Sequence, residues 1–322
     1  MKHLVSIGEL LIDFIPLDKG VKLKDVSGFT KYPGGAPANV AVAASKSGVK
    51  SYFVGQVGKD AFGDFLIESL NKESVDTSYL YQSSVSNTAL AFVTLSHTGE
   101  RDFIFYRDPS ADQLLDETQL PKEILKDCVL HFCSVSLSDY PIKQAHLKAI
   151  DLVRKHQGFI SFDPNLRLSL WSDHNAYKKV INEFIPMADL LKVSSDELEF
   201  ITGIRDNQKA IKSLFVGHVN YVILTLGKDG STLYFKDGRA IHVPSYPVTV
   251  VDTTGAGDAF IGSFLAEIIK VDLSFSESNI TSALRTANGK AALTTTKFGG
   301  MSAIPSETDY QSFIKTIKKD QL

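Results

Sequence analysis

Short apolar runs alternate with longer amphipathic runs along most of this chain, and that alternation restricts its fold more than any other feature. The runs Leu4–Ile7, Ser51–Val57, Val129–Val135, Phe159–Phe162, Leu190–Val193 and Tyr221–Leu226 read as buried strands. Between them, Pro37–Ser47, Ala61–Glu73, Ile142–His156, Asn175–Phe184, Ser195–Thr202 and Gln208–Phe215 have helical character. Strands that alternate with helices predict an α/β fold with a mostly parallel sheet and helices on both faces. From Val248 onward the pattern turns helical, over Ala256–Ile269, Ser276–Leu293 and Ser306–Lys318.

Two segments break the rhythm. Ala89–Ser96 and Arg101–Tyr106 are strand-like and joined by His97-Thr98-Gly99-Glu100, a hairpin pattern. A second pair of extended runs is expected between Asp13 and Tyr32. Together they predict a small β-sheet hung off the main body as a lid, with segments about 13–32 and 88–107; the plainer alternative is a surface hairpin. The expected organisation is one domain over 1–322 with this lid.

A chain of 322 residues, 43% hydrophobic and 22% charged, has enough apolar material for a core of normal size. The net charge of −3 points to neither nucleic acid nor an anionic membrane as partner. A phosphate ligand would therefore have to be bound by a local feature. The cysteines, Cys128 and Cys133, fit no metal or redox spacing and are expected as buried, reduced thiols. No stretch reaches the roughly 18 apolar residues of a membrane span, so a cytoplasmic location is expected.

The strongest chemical pattern is Val251-Asp-Thr-Thr-Gly-Ala-Gly-Asp258-Ala-Phe-Ile-Gly262, where a strand-like segment meets a Gly-rich turn and then a helix. Gly255, Ala256 and Gly257 would expose backbone N–H groups at a helix N-terminus, where orphan donors and the positive dipole end attract anions. Asp258, in the same first turn, is placed to take a proton from a hydroxyl held beside that anion. Donors for a migrating phosphoryl group next to a base for the attacking oxygen are what phosphoryl transfer requires.

Four further patterns follow. In Tyr32-Pro-Gly-Gly-Ala-Pro-Ala-Asn39, Gly34 and Gly35 permit close ligand approach, Pro37 suits a first helical turn, and Asn39 projects from that turn. Asp163-Pro-Asn-Leu-Arg167 follows a strand, where ligand crevices of open α/β sheets lie. Thr225-Leu-Gly-Lys-Asp-Gly230 offers Lys228 to a phosphate but is also a good hairpin turn. Lys192-Val-Ser-Ser-Asp-Glu197 puts acids after a strand, suited to Mg²⁺ through water or to capping a helix. The chain lacks the P-loop, dinucleotide and zinc-protease patterns, which disfavours those chemistries.

Gly34-Gly35-Ala-Pro-Ala-Asn39 and Asp252-Thr-Thr-Gly-Ala-Gly-Asp258 resemble the two signatures of the ribokinase-like, PfkB-type carbohydrate kinases, in order and spacing. The resemblance runs from Ile7 to Pro305. Within that family Gly8–Pro16, Phe105-Tyr-Arg-Asp-Pro-Ser-Ala-Asp112, Asp163–Arg167 and Lys192–Phe200 are most similar to fructokinases.

The resemblance implies a Rossmann-like α/β domain with a β lid and an ATP-dependent transfer to the terminal hydroxyl of D-fructose. It implies Asp258 as base and Gly255, Ala256 and Gly257 as anion hole. Asp13, Gly34, Gly35 and Asn39 would hold the sugar hydroxyls, and Arg107 and Arg167 would sit near the sugar or the phosphates. Lys192, Ser194, Glu197, Thr225, Gly227, Lys228, Gly230 and Asn288 would border the nucleotide. Mg²⁺ would come with ATP, with Glu197 in its outer shell, and K⁺ would be held by carbonyls near Asp252, Thr254 and Gly299. Many relatives carry Asn-x-x-Glu where this chain has Ser194-Ser-Asp-Glu197. The alternatives are a 2-keto-3-deoxygluconate kinase, whose acidic substrate Arg107 and Arg167 would bind, a ribose or nucleoside kinase, and a silent sugar-binding regulator. A homodimer through the lid is a further expectation.

Overall fold

The computed structural model describes residues 2–18, 20–95 and 101–320. The strands are β1 His3–Ile7, β2 Leu11–Pro16, β3 Phe29–Gly34, β4 Ser51–Gly58, β5 Leu80–Ser83, β6 Leu90–Leu95, β7 Arg101–Tyr106, β8 Cys128–Cys133, β9 Phe159–Asp163, β10 Leu190–Ser194, β11 Tyr221–Thr225, β12 Ser231–Phe235 and β13 Ala240–Val243. The helices are α1 Ala36–Lys46, α2 Ala61–Lys72, α3 Pro141–Lys155, α4 His174–Phe184, α5 Ser195–Thr202, α6 Asn207–Ser213, α7 Ala256–Lys270, α8 Glu277–Thr294, α9 Gly300–Ala303 and α10 Glu307–Asp320.

The main sheet has the order β13-β12-β11-β10-β9-β8-β1-β4-β5. It is parallel except where β12 pairs antiparallel with β11 and β13. The expected α/β, ribokinase-like architecture is thus present, with an antiparallel edge that the apolar alternation did not reveal. Strand β5 also escaped that pattern, because Leu-Tyr-Gln-Ser is short and only half apolar.

The central strands are buried on both faces, and successive residues feed different cores. Val5 and Ile7, Leu130 and Phe132, and Leu191 and Val193 pack into one core with α3 and α4. Leu4, Val129 and Leu190 face the other core, shared with α7 and α8. This period of two on a sheet covered on both sides explains why the strands read as continuous apolar runs. Cys128 and Cys133 are buried and unpaired, and burial pushes the Cys128 thiol up to about 12.

The strand order reverses around β1, which pairs with β4 on one side and β8 on the other. Crevices at such switch points, beyond the strand C-terminal ends, are where open α/β sheets bind ligands. The small sheet has the order β3-β2-β6-β7, with β2 antiparallel to β3, parallel to β6, and β6 antiparallel to β7. Phe14 stacks on Phe92 with centroids 4.9 Å apart, and Phe29 and Tyr106 meet Phe92 edge-on. The turn His97–Glu100 lies outside the described residues.

Helices α1 and α7 touch very closely. A Cβ on Gly262 would fall 2.6 Å from the Cβ of Ala43 and 2.6 Å from the carbonyl oxygen of Val40. Only hydrogen fits there.

Candidate active site

Gly255 caps α7 with φ 75°, a left-handed conformation that glycine adopts without strain. The loop before it is ordered by Asp252, whose Oδ1 accepts from Thr254 N at 2.9 Å and Thr254 Oγ1 at 2.7 Å. Asp252 Oδ2 accepts from Gly299 N at 3.1 Å, so one carboxylate ties this loop to the loop before α9. Asp252, Thr254 and Gly299 are thereby brought together. Of the anion-hole donors, Ala256 N–H already donates to Thr253 O at 3.3 Å.

Asp258 stands in the first turn of α7 and is 5% exposed. Its Oδ2 accepts from Asn39 Nδ2 at 2.8 Å and its Oδ1 from Asn165 Nδ2 at 2.8 Å. Burial raises its pKa above the usual carboxylate range, while Asn39, Arg167, Lys192 and Asn165 pull it back. A carboxylate made more basic by burial and kept in place by amide donors is suited to accepting a proton. Asn39 Oδ1 is buried without a hydrogen-bond partner. An orphan acceptor beside a base is suited to a ligand hydroxyl.

Lys192, on β10, donates to Asp163 Oδ2 at 2.8 Å across a nearly dry interface, with side chains 6% and 0% exposed. Its Nζ also lies 3.1 Å from the position of a Cβ on Gly257. Burial lowers the Lys192 pKa, but Asp163, Glu197 and Asp258 outweigh burial and raise it. Burial pushes Asp163 up to about 7 against the pull of Lys192. Desolvation sets the direction for Asp163, and the three carboxylates around one ammonium set it for Lys192.

Glu197 forms a capping box with Ser194: Oε2 accepts from Ser194 N at 2.8 Å. Its Oε1 accepts from Leu166 N at 2.8 Å, which pins the loop after β9. Arg167, in that loop, donates through NH1 to Asn165 Oδ1 at 2.6 Å and to Leu166 O at 2.9 Å. Arg167, Lys192, Thr254, Gly255, Gly257 and Asp258 line one cleft of about 520 Å³.

Other expected residues stand around this centre. The Asp13 carboxylate occupies the space a side chain at Gly34 would need. Gly35 caps α1 with φ 113°. Arg107, expected near the sugar or the phosphates, is held by protein groups. It donates to Asp112 Oδ2 from Nε at 2.8 Å and NH2 at 2.5 Å, and to Val135 O from NH1 at 3.1 Å. Burial lowers the Arg107 pKa, but Asp112 and Glu9 outweigh it. Glu9 accepts from Ser136 Oγ at 2.7 Å and Ala36 N at 3.2 Å, and burial raises its pKa.

On the opposite flank, Thr225 ends β11, and Gly227, Lys228 and Gly230 form the following turn, with Lys228 exposed. Asn288, on α8, donates to Val243 O at 2.9 Å. These residues ring the β11 end but are not among those lining the cleft. Asn165, Glu9, Asp112 and Ser136 were not picked out from sequence. For Asn165 a signal existed: it stands in a turn after a strand, between two residues that were picked, and its φ of 45° suits asparagine.

An open parallel sheet whose strand ends face a helix N-terminus, with a buried carboxylate in that helix's first turn, is the arrangement expected of a small-molecule phosphotransferase. The pfkB family carbohydrate kinase model matches residues 1–307. This chain belongs to that family of sugar kinases. It is 43% identical over 316 residues to Probable fructokinase-2 of Arabidopsis thaliana, covering 97% of this chain and 95% of the relative. It is 42% identical over 314 residues to Fructokinase-1 of Zea mays, covering 97% of each. A fructokinase double mutant from Vibrio cholerae O395, solved with fructose, ADP and potassium, superposes with TM-score 0.86 at 34% identity, covering 97% of this chain and 98% of that one.

Proposed function

We propose that this sugar kinase transfers the γ-phosphoryl group of ATP to the terminal C6 hydroxyl of D-fructose, giving fructose 6-phosphate. The observation that carries the reading is Asp258, buried at the N-terminus of α7 and held by amide donors on both oxygens. The fructokinase relatives supply the sugar.

ATP lies across the strand C-terminal ends, bordered by Thr225, Gly227, Lys228, Gly230 and Asn288. Fructose lies between those ends and the small sheet, which acts as a lid, and meets Asp13, Gly34, Gly35 and Asn39. Lid closure excludes water as a competing acceptor. Asp258 takes the proton of the C6 hydroxyl as its oxygen attacks the γ-phosphorus in line. The N–H groups of Gly255 and Gly257 and the Lys192 ammonium balance the charge of the transferring group.

Mg²⁺ would be held by the nucleotide phosphates and water, because both Glu197 oxygens already accept backbone N–H groups. When bound it neutralises phosphate charge. K⁺ would be held by carbonyl oxygens near Asp252, Thr254 and Gly299, in two loops that the Asp252 carboxylate ties together. Ile104 and Tyr106, on one face of β7, are 45% and 65% exposed, which supports a homodimer through the lid, measurable by light scattering. Among the described residues no helix is long and apolar enough to cross a membrane.

The test is a coupled ADP-release assay with Mg-ATP and K⁺ over fructose, 2-keto-3-deoxygluconate, glucose, mannose, ribose and adenosine. Fructose is expected to give the highest kcat/KM. A higher value for the keto-acid would overturn the sugar and keep the Asp258 chemistry. Engagement of Arg107 by Asp112 argues against the acid.

A further inference from the structure

We infer that Asn165 is the positioning residue of the catalytic base: it holds Asp258 Oδ1, so that Oδ2 is the oxygen that receives the substrate proton. The inference rests on Asp258 being the base.

The side chain of Asn165 is fixed at both ends. Its Oδ1 accepts from Arg167 NH1 at 2.6 Å, and its Nδ2 donates to Asp258 Oδ1 at 2.8 Å. An amide can be placed either way round, but a guanidinium only donates and an ionised carboxylate only accepts. Arg167 therefore dictates which end of the amide faces Asp258. The backbone adds a third restraint, because Asn165 N donates to Asp163 Oδ1 at 3.1 Å in a buried turn, with φ 45°. Asp163 is in turn held by Lys192 at 2.8 Å. The chain Lys192–Asp163–Asn165–Asp258 thus runs from β10 through the loop after β9 to α7.

The two oxygens of Asp258 are not equivalent. Oδ1 meets an amide whose own oxygen is already occupied by Arg167. Oδ2 meets Asn39, whose Oδ1 is buried and unpartnered. A hydroxyl entering beside Asn39 can donate to that orphan oxygen or to Asp258 Oδ2 within one group of contacts. Asn165 has no such spare acceptor. The proton therefore goes to Oδ2, while Oδ1 keeps the carboxylate from rotating.

Asparagine also suits the backbone. Aspartate tolerates the same left-handed conformation and has nearly the same shape, and glycine adopts it freely. Both substitutions therefore change the contact to Asp258 while keeping the turn. The charged and titratable groups that face Asp258 are Lys192 from β10, Asp163 from β9, Arg167 from the loop after β9 and Cys133 from β8.

The experiment measures kcat and KM against pH for the wild type, Asn165→Asp and Asn165→Gly, with the best sugar of the substrate panel. A wrong assignment of fructose then leaves the comparison intact. Asn165→Asp sets a second carboxylate against Oδ1. Like charge raises the pKa of the base, so the acid limb of kcat/KM is expected to move up by about one pH unit or more. kcat at pH 7 is expected to fall roughly tenfold or more, because a misplaced base loses part of its general-base contribution. Asn165→Gly removes a donor to the ionised form, so its acid limb moves the same way by less, with KM for ATP unchanged. A purely structural role would lower activity or stability and leave the acid limb in place. Acid limbs at the wild-type position in both variants, whether or not kcat falls, would overturn the inference. If Asn165→Asp does not fold, Asn165→Gly decides alone.

Discussion

Gly262 on α7 and Ala43 on α1 meet so closely that a Cβ on the glycine would lie 2.6 Å from that of the alanine. Asp258 and Asn39 each stand four residues earlier, one turn nearer their helix N-termini. The close approach therefore sets the 2.8 Å contact between base and amide. In Gly262→Ala, better helix propensity would contribute about 1 kcal/mol, but overpacking against the Val40 backbone costs about 1–3 kcal/mol. Urea unfolding is expected to show a net loss, and kcat to fall with it. Increased stability would mean that the helices separate freely.

Asp258→Asn removes the proton acceptor and keeps the shape. Turnover is expected to fall roughly 10³-fold or more. The native pKa of Asp258 is raised, so ionisation weakens the fold as pH rises through that value. The variant is therefore expected to melt at or above the wild-type temperature at pH 8. Retained turnover in the ADP-release assay would remove Asp258 from the base role.

Lys192→Met leaves Asp163 buried without its counter-ion. Native Asp163 titrates near 7, above its ordinary 3.8, so its contribution favours the fold at low pH and is lost as pH rises through 7. Removing Lys192 pushes that carboxyl higher still. The stability deficit is expected to be small at pH 5 and to reach about 3–5 kcal/mol at pH 8. Adding Asp163→Asn should recover much of it. Urea titrations at the two pH values measure both effects, and a pH-independent deficit would contradict the account.

Asp112→Asn leaves the Arg107 guanidinium without its paired carboxylate. The freed charge favours an acidic substrate, so the kcat/KM ratio of 2-keto-3-deoxygluconate to fructose is expected to rise about tenfold. An unchanged ratio would confine Arg107 to a structural role.

The local code of this chain was sufficient for the parallel centre of its main sheet. Apolar runs buried on both faces marked six parallel strands of the main sheet, and the glycines before Asp258 marked the start of α7. These features act within a few residues, through backbone propensity and side-chain period, so they are legible in one dimension. The tertiary structure decided which distant groups share the site. Asn39 reaches Asp258 across 219 residues only because two helices touch at a glycine. Asp112 pairs with Arg107 because the segment after β7 folds back on it, and Glu197 is occupied by amides of two segments. Short β5 and the antiparallel β12–β13 edge acquire their place by pairing with a strand already laid down. Hydrogen bonds and charges depend on ångström separations in space, and helix crossings and loop closure set those separations.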